Sequence, residues 1–483
     1  MNKYIRVGSI ISLLLIVALL VNLSVVQGMR EDKYAQDARN ARTTLELRQV
    51  NRGPITAGGV VLADSFRTDA GFYQRTYPNM PWSFAPVVGY VSDQFGTSQV
   101  EAGYNGQLTG DTGAASRFLR TGLEEPKQGD TVDLSLDPNL QSFAFDQLNG
   151  AGYAGAVVAL RPSSGEVLAM ASTPSYDPNA IANPATAEGA WAEINANPGK
   201  PLLNHATQEQ LPPGSIFKII TTAAGLRAGY TPESPLTGEA QIILPGTDNI
   251  PLTNYGGQAC GGGGQVPLRT AFALSCNTAF VQMGMDMGPD ALREAANAFG
   301  VGQRYDLGLP TAAGSLGDLP GAAELGQSAI GQRDVTMTAL QAAVMAGTIA
   351  NKGVRMAPYV VRKITNADGK TVRETKPAVL NEAVTEEEAA TITDLMYASE
   401  RWTWGYDGNG FASKTGTAEH AEGAAPHVWY VAFDPAKDVA VAVVVKNGGN
   451  MGEAATGGQV SGPIGRAVLR AAPAAPAPEE GAQ

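Results

Sequence analysis

Three short groups of residues in this chain have types and spacings that could do chemistry. In Leu211-Pro212-Pro213-Gly214-Ser215-Ile216-Phe217-Lys218-Ile219-Ile220-Thr221-Thr222-Ala223-Ala224, a serine precedes a lysine by three residues. The Pro-Pro-Gly turn and the apolar, Ala-rich run after it predict a buried helix with Ser215 and Lys218 on one face, about one turn apart. A lysine buried in such a run is costly. Burial also lowers its pKa, and an amine that loses its proton more readily can accept one from a serine nucleophile. Taken alone, the pair reads more simply as an N-capping serine and a lysine that snorkels to water. Two further groups change the balance. Ser275-Cys276-Asn277 falls at an expected break between helices, and Lys414-Thr415-Gly416 lies in a strand-like element, Gly410 to Ala418. Each is commonplace by itself. In the order Ser-x-x-Lys, Ser-x-Asn, Lys-Thr-Gly, with room for a helical subdomain between nucleophile and strand, they form one constellation.

These groups need a scaffold. A chain of 483 residues suggests two or three domains, and a net charge of -12 argues against nucleic-acid binding. Lys3 and Arg6 precede an uncharged run, Val7 to Gln27, about the ~20 residues a membrane-spanning helix requires. Ser24 to Met29 makes a poor cleavage site, so the run reads as a signal-anchor, and the basic residues before it place the N-terminus in the cytoplasm. Glu31 to Val50 reads as a charged juxtamembrane segment. Between about Gln36 and Gln128 nothing carries a catalytic pattern, and a small mixed α/β accessory module is expected there.

Thr131 to Leu136 reads as a strand and Pro138 to about Leu148 as a helix. Ala154–Leu160 and Val167–Ala171 read as a hairpin, and Val428–Phe433 with Val439–Val445 as a strong antiparallel pair. Helices are expected from about Leu268 through Phe299, from Thr336 to Ala350 and from about Gly462 to Ala472. Strands, a helical middle, more strands and a last helix give an α+β order: an antiparallel sheet with helices packed around it. The Gly-rich stretch Tyr255 to Gly264 follows neither nucleotide-binding glycine pattern and reads as loop. Cys260 and Cys276 allow one bridge or two buried thiols. A bridge is expected, and it would stabilise the fold by roughly 3 kcal/mol on the chain-entropy model. Three scattered histidines, His205, His420 and His427, make no metal site. The tail from Pro473 is low-complexity and reads as disordered.

The constellation is the one shared by penicillin-binding proteins and class A β-lactamases. Over nearly its whole length the chain resembles class B penicillin-binding proteins, in particular those of actinobacteria. The likeness extends to Arg52-Gly53-x-Ile55-Thr56-Ala57-Gly58-Gly59, Gly155 to Leu160, Ser275 to Phe280, Ile330-Gly331-Gln332 and Lys414 to His420. Cys276 stands where the pattern has Asp. The resemblance implies that this middle side chain points away from the cleft, which is compatible with a bridge to Cys260.

The resemblance also implies a penicillin-binding/β-lactamase-like transpeptidase fold with helices on both faces of the sheet and a helical subdomain. The expected division is residues 1–28 for the cytoplasmic stub and anchor, 29–130 for the accessory module, 131–472 for the transpeptidase domain and 473–483 for the tail. The implied activity is cross-linking of peptidoglycan stem peptides, in cell wall synthesis and division, through a Ser215 acyl-enzyme. Lys218 would be the base, helped by cationic Lys414, and Ser275 the proton relay to the leaving amine. Asn277 would bond the peptide backbone. The backbone N–H groups of Ser215 and Thr417 would form the oxyanion hole. Lys414, Thr415, Gly416 and Thr417 would hold the terminal carboxylate. No cofactor or metal is implied. The implied partners are D-Ala-D-Ala donor and amine acceptor peptides, β-lactams, the membrane, and division or elongation proteins at the accessory module. Three alternatives stay open. A D,D-carboxypeptidase would use water as acceptor, a β-lactamase would deacylate quickly, and a divisome scaffold or sensor would not depend on catalysis.

Overall fold

The computed structural model describes residues 2–29, 48–110, 128–419 and 423–475. The chain begins with α1 (Asn2–Met29), within which Lys3–Val25 is the one stretch among the described residues long and apolar enough to cross a membrane. Next come β1 (Ile55–Ala57), β2 (Val60–Arg67), β3 (Tyr73–Thr76), β4 (Thr131–Leu134), α2 (Pro138–Asn149), β5 (Gly155–Leu160) and β6 (Val167–Thr173). The helical middle contributes α3 (Lys218–Arg227), α4 (Asn277–Ala298) and α5 (Ala339–Ala350). The chain then forms β7 (Val361–Thr365), β8 (Thr371–Glu374), α6 (Glu386–Trp402), β9 (Ala412–Ala418), β10 (His427–Asp434), β11 (Val439–Val445) and α7 (Ser461–Ala471).

The sheet that positions the chemistry is antiparallel throughout, in the order β9-β10-β11-β5-β6. Its strands read as unbroken apolar runs because both faces are covered. In β11, Val439, Val441, Val443 and Val445 join one core with residues of α2 and α7, while Ala440, Ala442 and Val444 join a second core with residues of α5. Successive side chains of a strand point to opposite faces, so a strand between two helical layers needs an apolar residue at every position. β9 is an edge strand, and against that rule it carries a fully buried Lys414.

The second sheet, in the order β8-β7-β4-β1-β2-β3, joins residues from opposite ends of the chain. β4 pairs parallel with β1 on one side and antiparallel with β7 on the other. The accessory strands therefore share one sheet with strands that follow the helical middle. Beside it lies a buried polar cluster. Arg52 Nε and Arg75 Nε each reach a Glu101 carboxylate oxygen at 2.6 Å. Arg52 Nη1 bonds Asn105 Oδ1 at 2.6 Å, and Arg75 Nη1 bonds Gly53 O at 2.9 Å. Burial pushes the Glu101 carboxyl up, but the two guanidiniums outweigh it, and the net direction is down.

The juxtamembrane segment lies mostly outside the described residues, as do His420 and residues 476–483 of the tail. The start of that tail is docked: Arg161 Nη2 donates to Ala474 O at 3.2 Å, and Ala475 N to Lys437 O at 3.1 Å.

Candidate active site

Ser215 lies not in the helix but in a 3-10 turn, Gly214–Phe217, that feeds α3. Neither helix end has a side-chain cap, and Lys218 is fully buried. The plainer reading of the pair as cap and snorkeller therefore does not describe this turn. Several contacts fix it. Leu211 exchanges backbone bonds with Met337, Trp429 Nε1 donates to Pro212 O at 2.9 Å, and Gly214 N donates to Gly331 O at 2.9 Å. Two glycines let the turn press on the edge strand. Gly214 has φ +54 and its α-carbon faces Thr417 O. A Cβ on Gly416 would lie 2.7 Å from Pro213 O. The turn that carries Ser215 is thereby packed against the strand that carries Lys414, Thr415, Gly416 and Thr417. Thr415 and Thr417 are half-buried.

Ser275 sits between the helix Leu268–Ala273 and α4, with φ 59, a conformation that costs a non-glycine residue roughly 1–2 kcal/mol. This turn presents three oxygens to Lys218, whose Nζ bonds Ser275 O at 2.7 Å, Ser275 Oγ at 3.3 Å and Asn277 Oδ1 at 2.8 Å. Lys414 Nζ bonds the same Ser275 Oγ at 2.8 Å and Thr415 O at 3.2 Å. Two buried amines thus share one hydroxyl. Lys218 lies 5.4 Å from the centre of the Phe280 ring, and Lys414 lies 5.8 Å from that of Phe272. Among the described residues no carboxylate bonds either amine. Burial, then repulsion from Lys414, drives the pKa of Lys218 well below its ordinary value, and burial lowers that of Lys414 to about 7. Cys276 is joined to Cys260 in the Gly-rich loop.

Sequence reasoning missed the residues that fix the edge strand. Glu400 of α6, buried, accepts from Arg466 Nε of α7 at 2.7 Å, Asn409 Nδ2 at 3.0 Å, Tyr430 OH of β10 at 3.1 Å, and Ser413 Oγ. Ser413 immediately precedes Lys414. The Arg466 guanidinium also stacks on the Tyr430 ring, 5.6 Å from its centre. One carboxylate ties four elements together behind the catalytic strand. In the sequence Glu400 stands two residues before the end of α6, outside every motif.

The sheet, the buried two-lysine centre and the serine turn together define a serine acyl-transferase of the penicillin-recognising kind. Comparison with known families agrees. Residues 155–470 match the penicillin binding protein transpeptidase domain, and residues 52–132 match the penicillin binding protein A dimerisation domain. The chain belongs to the penicillin-binding protein transpeptidase family, class B. It is 44% identical to the peptidoglycan D,D-transpeptidase PbpA of Mycolicibacterium smegmatis, covering 98% of this chain and 99% of that one. It is 43% identical to PbpA of Mycobacterium tuberculosis, with the same coverage. Among solved structures, the ceftriaxone acyl-enzyme complex of penicillin-binding protein A from M. tuberculosis superposes with a TM-score of 0.84 at 42% identity, covering 89% of this chain and 99% of that one. The expected α+β transpeptidase architecture, with its N-terminal apolar helix and accessory module, is the one observed.

Proposed function

We propose that this class B penicillin-binding protein, a peptidoglycan D,D-transpeptidase acylated by β-lactams, works through Ser215. The observation that carries the reading is the pair of buried lysines bridged by Ser275 Oγ, with no carboxylate among the described residues bonded to either. A neutral amine has two hydrogens. Ser275 O and Asn277 Oδ1 take both from Lys218, leaving its lone pair to receive the Ser215 proton. Ser215 Oγ then attacks the carbonyl of the penultimate D-Ala of a stem peptide. Backbone N–H groups of Ser215 and Thr417 stabilise the oxyanion, each worth about 3 kcal/mol in the transition state. The C–N bond breaks, the proton held by Lys218 passes through Ser275 Oγ to the leaving amine, and free D-Ala departs. Lys414, Thr415 and Thr417, with Gly416 leaving room beside them, hold the terminal carboxylate, and Asn277 holds the donor backbone. The amine of a second stem peptide attacks the ester, forms the cross-link and frees Ser215. In a β-lactam the leaving nitrogen stays tethered, so the acyl-enzyme persists.

The family-model bounds and the position of α1 support the division into anchor, accessory module, transpeptidase domain and tail. The placement of Lys3 and Arg6 supports a single pass with a cytoplasmic N-terminus. The accessory module, which carries no acyl-transfer residue, is the surface for division or elongation proteins. Fluorescent penicillin labels the wild-type protein and spares Ser215→Ala. Equal labelling of both would remove Ser215 from the mechanism.

A further inference from the structure

Asn254 is a buried residue immediately before the Gly-rich loop, outside every motif considered so far. Its Oδ1 accepts from Asn277 N at 2.7 Å, Thr278 N at 3.1 Å and Thr278 Oγ1 at 3.3 Å. Its Nδ2 donates to Glu239 O and Gln258 O, each at 3.0 Å, so both faces of the amide are committed. The first N–H groups of a helix have no partner within it. At the N-cap of α4, Cys276 makes no side-chain bond to them and is tied into the disulfide. Asn254 supplies the missing acceptor from a separate segment.

The capped residue matters. Asn277 is the one whose Oδ1 bonds Lys218 Nζ at 2.8 Å, and its Nδ2 bonds Thr253 O at 3.1 Å. Residues 253 and 254 therefore grip Asn277 at its side chain and at its backbone. We propose that Asn254 is a positioning residue for acyl transfer, holding Asn277 and the Ser275 turn against Lys218. This rests on the assignment of Ser215 and Lys218 to that step.

The test follows acylation of the full chain in detergent by a fluorescent penicillin, resolving non-covalent binding from the acylation rate across pH. Asn254→Ala acylates about tenfold more slowly, with penicillin binding altered less than about twofold. Its acid limb moves to lower pH, because the Lys218 ammonium loses firm contact with Asn277 Oδ1 and gives up its proton more readily. Thr278→Val, in the same cluster but without a bond to Asn277, loses thermal stability and keeps its rate within about twofold. Asn254→Asp retains the acceptor but sets its second oxygen against Glu239 O and Gln258 O, so it loses thermal stability while its rate stays within about threefold of wild type. The proposal fails if Asn254→Ala acylates at the wild-type rate. It fails equally if that variant's acid limb is unmoved and Thr278→Val slows as much for the same loss of melting temperature. Should Asn254→Ala not fold, a tenfold loss in Asn254→Asp overturns the proposal and a wild-type rate supports it. Labelling of Ser215→Ala would instead strike the underlying assignment.

Discussion

Two of the buried clusters of charge in this protein are built on opposite plans. In the accessory module, Arg52 and Arg75 close on Glu101, so each cation has an anion within 2.6 Å. At the proposed acyl-transfer centre, the bonds of Lys218 and Lys414 among the described residues go to hydroxyl, amide and carbonyl oxygens. Burial penalises every one of these charges. Where a counter-ion is supplied, the charge persists and serves as a strut. Where it is withheld, burial holds the amine's pKa down, as the base role proposed for Lys218 requires.

The contrast can be broken most forcefully at Lys218. Lys218→Met removes the unpaired amine with little change in volume, so acylation falls by about a thousandfold while the melting temperature holds or rises. Intact-mass spectrometry of acylation time courses reads the first, calorimetry the second. A variant that lost stability instead would show that Lys218 is a strut like the arginines.

Glu101→Gln makes the converse change, leaving two buried guanidiniums without an anion. The expected cost is about 3–5 kcal/mol, read as a lower denaturant midpoint. Protein that remains folded acylates at the wild-type rate. A slowed folded fraction would mean that the accessory cluster acts on the catalytic centre.

The subtlest effect is the pH dependence of Lys414. At low pH both folded and unfolded chains hold its proton, and the fold bears the whole penalty of a buried cation. As pH rises from about 7 toward 10.5, the folded chain gives up the proton while the unfolded chain keeps it. In that window the unfolded state binds more protons, so wild-type stability rises with pH. Lys414→Met lacks this term. Its advantage in melting temperature over wild type is largest near about pH 6 and shrinks toward about pH 10. An advantage that did not change with pH would mean that Lys414 keeps its charge after all.

The chemistry was more legible in the sequence than the scaffolding around it. Ser215, Lys218, Ser275, Asn277 and Lys414 stand in three short, local motifs, commonplace singly, whose order along the chain carries the signal. The strands of the catalytic sheet were legible because burial on two faces forces continuous apolar runs, as in Val439–Val445. The partnership of β4 with β7 was not, since register between strands so far apart leaves no local trace and the adjoining β8 is exposed along its length. Glu400 was hidden for a different reason. On a helix that opens with Glu386, Glu387 and Glu388, one more glutamate reads as solvated surface, and only tertiary packing reveals its buried arginine. Asn254, among glycines, reads as an ordinary turn residue.

The sheet that β4 shares with β7 also sets an order of assembly. On a ribosome, β1 to β4 emerge long before β7 and β8 exist, so one side of β4 must wait unpaired through the synthesis of the entire helical middle. An open strand edge is a template for the wrong neighbour. A fragment ending shortly after β4 carries that edge permanently, which makes the accessory module a poor candidate for separate expression or grafting. What looks like an N-terminal domain in the linear map is finished only when the chain has passed Glu374.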